Sequence, residues 1–304
     1  LLFTARIIEG MRGGTAATAT AVLADITTPQ NRAKAFGLIG VAFGLGFALG
    51  PGLGGVLGEM NRILPAWGAT GFAVVNLVMV GLLLPETHPL EARKPLPRKR
   101  ALNPVSLLQR VFARSDVRRL ALAFFGFFMA FNGFTTILVL YLRNAFNWTE
   151  GMAGGAFALV GVIAMVVQGG LIGPLVNRFG ELRLTLAGLG LLTVGCLMVP
   201  MATEQTSMPV IYSAVALLAL GTGLVTPCLR ALISKRLTRD GQGAALGGLQ
   251  GLQSLGTFLG ASAAGLSYDR LGQTSPFWIG AVVLFGVAVL VAGSPLPESP
   301  QRQI

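Results

Sequence analysis

The sequence predicts an all-α membrane protein with nine transmembrane helices. Hydrophobic residues make up 53% of the chain, charged residues make up only 12%, and long uncharged runs recur along its whole length. An ordinary soluble domain has about 25% charged residues, and about 18 consecutive apolar residues are enough for a spanning helix. The composition therefore excludes the usual soluble classes.

Nine segments are candidate spans. The first, residues 1–24, contains Arg6, Glu9 and Arg12. Such an ionisable cluster indicates a functional site that faces a cavity or a partner helix, although residues 1–12 at an interface could instead extend their side chains toward water. The other eight are uncharged and exceed the spanning threshold; they are residues 35–58, 63–85, 120–142, 151–177, 184–203, 205–229, 241–268 and 271–297.

The run 35–58 is the most informative of the nine. It reads AFGLIGVAFGLGFALGPGLGGVLG and contains Gly46, Gly50, Pro51, Gly54 and Gly55. In lipid such a helix persists, because its backbone hydrogen bonds cannot be exchanged for bonds to water, and its glycines allow neighbouring helices to approach closely. We interpret it as a transporter helix; the alternative is an ordinary small-residue packing face.

The distribution of basic residues predicts the orientation. Alternating the loops places 17 of the 23 Lys and Arg on one side, which the positive-inside rule makes cytoplasmic. The protein is then a multi-pass protein of the cell membrane with a cytoplasmic C-terminus. Its net charge of +11 is explained by topology and by contact with anionic lipid headgroups, so no nucleic-acid partner is expected.

A basic, proline-rich loop divides the chain into residues 1–85, a cytoplasmic linker at 86–119, and residues 120–304. A repeat supports this division. Shifting residues 25–55 by 210 positions aligns four pairs of glycines, namely Gly37 with Gly247, Gly46 with Gly256, Gly50 with Gly260 and Gly55 with Gly265. The first three spans therefore resemble the last three, as in transporters that are built from duplicated helix triplets; the middle triplet would pair with a triplet before residue 1.

Four amides are the candidate polar residues of a substrate cavity: Asn132, Gln168, Gln250 and Gln253. Amides in spans also bridge helices, and about half of the four are expected to do only that. Six phenylalanines crowd the span 120–142. An aromatic cavity with few charges suits a bulky amphipathic molecule better than a sugar, which needs many hydrogen bonds.

No catalytic constellation is present in the sequence. There is one histidine, there are two cysteines without ligand or disulfide spacing, and no span after the first contains an acid. We therefore expect neither an enzyme nor a metal or cofactor site. Without a nucleotide-binding loop, uphill transport would depend on an ion gradient.

Three short segments carry a resemblance to a known family. They are residues 6–10 (RIIEG), Asp25 with Arg32, and residues 46–55 (GFALGPGLGG). They resemble helices four and five of the major facilitator superfamily, in particular its twelve-helix drug:proton antiporter group, which includes the tetracycline efflux proteins. The resemblance runs over the chain as helices four to twelve, so the fold is expected to lack the first three helices of that family.

The resemblance implies roles for individual residues. Arg6 matches an arginine of helix four that the family uses in proton coupling, Asp25 the acid that ends that helix, and Arg32 an arginine of the next loop. Arg178 matches a cytoplasmic gating loop. The antiporter motif implies that Gly46, Gly50, Pro51, Gly54 and Gly55 form a helix-packing surface.

The sequence departs from the family pattern at Asn177, Glu181, Glu9 and Arg12, the last of which stands where a small residue is usual. In the gating loop Asn177 replaces the usual Asp and Glu181 the usual basic residue, so we do not expect a salt-bridge latch there. Glu9 stands where glutamine is usual. It is either a proton carrier or part of a self-neutralising cluster with Arg6 and Arg12; two nearby cations would depress its pKa, which favours Arg6 as an electrostatic gate over Glu9 as a carrier.

Three functions remain open at this point. The first is proton-coupled efflux of amphipathic small molecules or drugs by alternating access, with protons and a small molecule as partners. The second is uptake of a metabolite or sugar by a symporter or facilitator. The third is a truncated, non-transporting helix bundle. In each case we expect a monomer in the bilayer.

Overall fold

The computed structural model describes residues 32–84, 115–234, 236 and 242–294, and the regular structure in these ranges is helical. A π-helical turn at Val167–Leu171 joins two of the helices into one span, and a 3-10 turn at Val199–Met201 ends another. In chain order, the α-helices are α1 (Arg32–Met60), α2 (Leu64–Leu83), α3 (Ser115–Phe146), α4 (Glu150–Val166), α5 (Ile172–Phe179), α6 (Glu181–Met198), α7 (Ser207–Ser234), α8 (Gln242–Leu271) and α9 (Ser275–Ala292).

Six stretches within the described residues are long and apolar enough to cross a membrane. They are Leu64–Leu83, Val117–Phe146, Glu150–Phe179, Glu181–Met201, Ser207–Ile233 and Ser275–Ala292. The helices α1 and α8 have 29 and 30 residues, so at 1.5 Å per residue both are longer than a hydrocarbon core of about 30 Å. The predicted all-α membrane fold is confirmed; the predicted span 1–24 lies outside the described residues.

Local sequence explains where several helices begin and end. Gly180 (φ 77°) separates α5 from α6, and Gly272 (φ 108°) follows α8; only glycine adopts such angles without steric cost. Thr149 caps α4, because its hydroxyl accepts a hydrogen bond from the Met152 amide at 3.3 Å.

The helix α3 begins at Ser115, inside the predicted linker 86–119, whose earlier part is not described. A side chain near the start of this helix contacts the end of another helix. The Arg119 guanidinium donates a hydrogen bond, at 2.9 Å, to the Gly293 carbonyl oxygen just after α9. A cation at a helix C-terminus satisfies one of the open carbonyl groups and complements the helix dipole. The division into two halves and a linker stays a prediction.

The helices α3, α6, α7, α8 and α9 form the packed core. In the described residues, α3 packs against α8 and α9, α9 against α6, α6 against α7, and α7 against α4, which in turn carries α1. The largest side chains that this packing removes completely from the surface include Phe124, Phe127, Phe134 and Phe277. None of the residues of α2 is buried by the described residues.

Glycines bring the helix backbones together at two crossings. A β-carbon placed on Gly188 of α6 would lie 2.8 Å from the Gly221 carbonyl oxygen of α7. A β-carbon on Gly256 of α8 would lie 2.9 Å from the Phe125 carbonyl oxygen of α3, and one on Gly260 would collide with the Met129 backbone. Since lipid removes the hydrophobic driving force between helices, such close packing is a main source of bundle stability.

We expect Gly188→Ala to destabilise the protein by about 1–3 kcal/mol, because the added methyl group has no room at the α6–α7 crossing. Gly190→Ala is the matched control: Gly190 lies on the same helix, and its β-carbon position has no described atom within 4 Å. The measurement is the thermal unfolding midpoint in detergent. Equal midpoints for the two variants would contradict the proposed crossing.

Candidate functional site

A cavity of about 620 Å³ lies between α3, α4, α7 and α8, with Gly44 of α1 at its edge. This volume is within the range of small-molecule sites in proteins. Its polar lining residues are Asn132, Thr135, Thr136, Gln168, Thr222, Thr226, Arg230, Gln253 and Thr257; its apolar lining residues include Phe128, Phe131, Leu138, Leu142, Phe157, Val160, Val215 and Leu218.

The aromatic wall of the cavity comes mainly from α3. Phe128 and Phe131 line the cavity, while Phe124, Phe127 and Phe134 are buried in the packing of the bundle. The rings of Phe127 and Phe131 stack with 5.8 Å between centroids and 19° between planes. The phenylalanines of this span therefore divide between a structural face and a cavity face. Aromatic contacts of this kind fix ring orientation in addition to burying apolar surface.

Most polar groups of α3 in the cavity are bonded to their own helix. The Asn132 amide donates a hydrogen bond to the Phe128 carbonyl oxygen at 3.0 Å, and the Thr136 hydroxyl donates one to the Asn132 carbonyl oxygen at 2.7 Å. The Thr222 hydroxyl of α7 does the same with Leu218 at 2.6 Å. These bonds use one of the two Asn132 amide donors and the hydroxyl donors of Thr136 and Thr222, so these three side chains offer a ligand mainly acceptor oxygens.

Gln168 lies in the π-helical turn Val167–Leu171, which is followed by α5. A π-turn inside an α-helix is rare and occurs frequently at functional sites. The turn faces α7, because a β-carbon on Gly223 would lie 3.0 Å from Val167. The sequence analysis did not predict this turn, although the adjacent Gly169 and Gly170 lower the helical propensity there.

Arg230 is the site residue that the sequence analysis missed. Its guanidinium donates a hydrogen bond to the Gln253 side-chain oxygen at 2.6 Å, and its Cζ lies 5.9 Å from the centroid of the Phe124 ring. Among the described residues that line the cavity it is the one charged side chain. A charge in a span is by default a functional candidate. Arg230 was not identified as one because it directly follows the apolar run 205–229, which ends at that charge.

The four predicted cavity amides are not equivalent in the structure. Asn132, Gln168 and Gln253 line the cavity, whereas Gln250 is exposed and is not among the lining residues. A role of any of them in substrate binding stays a prediction.

The glycines of α1 lie on two faces. Gly44, Gly55 and Gly58 face α4: a β-carbon on Gly44 would lie 2.7 Å from Met165, and one on Gly55 would lie 2.9 Å from the Glu150 carbonyl oxygen. Three glycines of the predicted motif, Gly46, Gly50 and Gly54, point elsewhere, and a β-carbon on them meets no described atom within 4 Å. The helix α1 therefore packs on α4 through a glycine face that includes Gly55 but was otherwise not predicted.

One end of this α1–α4 contact carries a hydrogen bond to a carboxylate. The Glu59 carboxylate accepts a hydrogen bond from the Gly151 amide at 2.9 Å. This amide belongs to the first turn of α4, where unpaired N–H groups and the helix dipole favour a negative charge. The bond fixes the end of α1 to the start of α4.

Three of the five predicted coupling and gating residues lie outside the described residues, namely Arg6, Glu9 and Asp25. Arg32 is the first residue of α1. Arg178 is exposed in the last turn of α5, with its Cζ 5.4 Å from the centroid of the Phe179 ring. Their roles stay predictions.

Several apolar spans around a cavity with scattered polar groups are typical of a multi-pass membrane transporter. The comparisons with known proteins agree. The family model described as Major Facilitator Superfamily matches residues 1–240 and 169–303. The chain is 31% identical over 295 residues to a tetracycline resistance protein, class C, of Escherichia coli, which covers 97% of this chain and 72% of that protein.

A second relative is human. The chain is 30% identical over 298 residues to Major facilitator superfamily domain-containing protein 10 of Homo sapiens, covering 92% of this chain and 64% of that protein. The crystal structure of the human organic anion transporter MFSD10 (TETRAN) superimposes with a TM-score of 0.74 at 28% identity, covering 95% of this chain and 70% of that one. The chain belongs to the major facilitator superfamily.

Membership in this family confirms the predicted resemblance to tetracycline-efflux-like transporters. The protein is a transporter rather than an enzyme, it spans the membrane several times, and its relatives imply a small-molecule substrate. The orientation of the C-terminus stays a prediction.

We expect Thr136→Cys to react with a small, water-soluble thiol reagent, because Thr136 lines the cavity. Val162→Cys is the control, since Val162 is 50% exposed but is not among the lining residues and would face lipid, where a thiol stays protonated and unreactive. The native Cys196 and Cys228 are buried and set the background. Mass spectrometry after timed labelling measures the rates; a Thr136→Cys rate at background would contradict an accessible cavity.

Proposed function

We propose that the protein exports amphipathic small molecules, drugs among them, by proton-coupled alternating access. The observation that carries this proposal is the cavity of about 620 Å³, whose walls are largely aromatic and aliphatic and hold one charged side chain among the described residues. The relatives support the same class, since several are tetracycline resistance proteins and one is an organic anion transporter.

The walls of the cavity favour an amphipathic molecule over a sugar. A sugar presents hydroxyl groups on every side and needs a partner for most of them, because an unpaired polar group in a dry site costs about 1–3 kcal/mol. Here one amide donor of Asn132 and the hydroxyl donors of Thr135, Thr136 and Thr222 are bonded within their own helices. A ligand with one polar end and an apolar body fits this distribution.

Alternating access needs an interface that opens and closes, and the α1–α4 contact supports this role. It joins a helix of the predicted N-terminal half to one of the C-terminal half, and its glycine face lets the two slide without unlocking large side chains. With the predicted orientation, the Glu59–Gly151 hydrogen bond is at the outer end. We propose that it seals the cavity from the outside and breaks when the cavity opens outward.

The proton pathway is proposed from the family resemblance alone. Arg6 acts as the electrostatic gate, Glu9 or Asp25 takes part in the proton exchange, and Arg32 and Arg178 belong to the cytoplasmic gate. No Asp or Glu is found among the described residues that line the cavity, which is consistent with proton exchange outside the substrate site.

We expect proteoliposomes that contain the full-length protein to accumulate a fluorescent amphipathic probe when an inwardly acidic pH gradient is imposed. A protonophore should abolish the accumulation, because the gradient is the proposed energy source. Liposomes without protein provide the control. Accumulation that persists with the protonophore would contradict the proton gradient as the energy source.

We expect Gly55→Leu to abolish gradient-driven transport while membrane insertion is retained, since the side chain would separate α1 from the Glu150 backbone. Gly50→Leu and Gly54→Leu are expected to act in the same way if the antiporter motif is a packing surface. Gly71→Leu on α2, where no described atom lies within 4 Å of the β-carbon position, is the matched control. Wild-type transport by Gly55→Leu would refute the α1–α4 contact as the moving interface.

A further inference from the structure

Arg230 lies in the cavity with a full positive charge and a neutral partner. Its described side-chain hydrogen bond is the one to Gln253 at 2.6 Å. A guanidinium has five N–H donors, so one bond leaves several of them available, on a side chain that is exposed and lines the cavity. An amide dipole orients this cation but does not neutralise it.

Arg230 lies four residues before the last residue of α7, a distance of about 6 Å along the helix, but its guanidinium contacts groups on two other helices. Gln253 lies about 16 Å from the first residue of α8, at a rise of 1.5 Å per residue. Phe124, whose ring centroid is 5.9 Å from the Arg230 Cζ, lies about 13 Å from the first residue of α3 on the same basis. The guanidinium is thus held between α8 and α3 at the cavity, and an ionisable side chain in a spanning helix is by default a functional candidate.

The side chains around Arg230 indicate which kind of ligand group would complement its charge. The described residues lining the cavity include no Asp or Glu; apart from Arg230 they are aromatic and aliphatic side chains, such as Phe128 and Phe131, and uncharged threonine and amide side chains. Arginine is the preferred partner of carboxylates and related planar or tetrahedral anions, because its fork of donors matches two acceptor oxygens. One cation beside an apolar wall matches a ligand with one negative group and an apolar body.

We infer that Arg230, oriented by Gln253, binds the anionic group of the transported molecule, so that the substrates are amphipathic organic monoanions. This inference rests on the proposed transport function and specifies its substrate class. The apolar body of the substrate lies against Phe128 and Phe131, and the guanidinium remains hydrogen-bonded to Gln253 while its other donors hold the anion.

Direct binding tests the inference on the full-length protein in detergent. The probes are 2-naphthoate, 2-naphthamide and 2-naphthylmethylammonium, which share one ring system and differ in charge; isothermal titration calorimetry measures their affinities. We expect the wild type to bind the anion about tenfold more tightly than the other two. Preference for the amide or the ammonium would overturn the inference.

Three variants assign the preference to Arg230. Arg230→Gln removes the charge, and Gln253→Glu keeps Arg230 but places a carboxylate beside it; both are expected to lose the tenfold preference. Arg230→Lys keeps the charge without the planar fork and should retain part of it. Because Gln253→Glu is nearly isosteric, it decides the question even if Arg230→Gln misfolds. Retention of the anion preference in either Arg230→Gln or Gln253→Glu would overturn the inference.

The control is Arg143→Gln, which removes an arginine from the exposed last turn of α3 and should leave the preference unchanged. Uptake of the same three probes by proteoliposomes separates the two proposals. Anion binding that depends on Arg230 without gradient-driven uptake of any probe would refute the transport proposal and leave the anion site. Gradient-driven uptake without anion preference would refute the anion site and leave transport.

Discussion

Close approach of helix backbones at glycine is the interaction on which this bundle depends. Two apolar helices gain nothing from burying surface against each other that lipid does not already offer, so dispersion contacts at short distance have to hold them. Gly188 and Gly221 supply such contacts between α6 and α7, and Gly256 and Gly260 of α8 supply them against the backbone of α3. Gly44, Gly55 and Gly58 supply them between α1 and α4.

Packing through glycines explains how the cavity between α3, α4, α7 and α8 remains open. Because the crossings are made by small residues at defined points, large side chains are not needed on every face of α3. Phe124, Phe127 and Phe134 fill the packed side, and Phe128 and Phe131 remain for the cavity. A bundle held together by interdigitating large side chains would close this space.

The sequence was sufficient to predict the helices but not which face of each helix packs against a neighbour. Uncharged runs such as 35–58 and 120–142 predicted α1 and α3 because lipid imposes a helix on any such run. The direction in which a residue points depends on the neighbouring helices, and in a span that is apolar on all sides no hydrophobic periodicity reveals it. Asn132 and Gln250 therefore looked alike in sequence, and the glycine face of Gly44 and Gly58 was not distinguished from the more conspicuous motif. Arg230 was overlooked because the limits of spans were set at charged residues.

The internal repeat gives the two glycine faces of α1 a geometric meaning. The face of α8 that packs on α3 contains Gly256 and Gly260. Under the repeat these two residues correspond to Gly46 and Gly50 of α1, whose β-carbon positions have no described atom within 4 Å. In the other direction, Gly55 packs on α4, and its counterpart Gly265 meets none. Among the described residues, α8 packs through the face whose counterpart on α1 is unpacked, and α1 packs through the face whose counterpart on α8 is unpacked. A pseudo-twofold arrangement would fill both vacant faces, with a counterpart of α3 against α1 and a counterpart of α4 against α8, and would enclose the cavity on all sides.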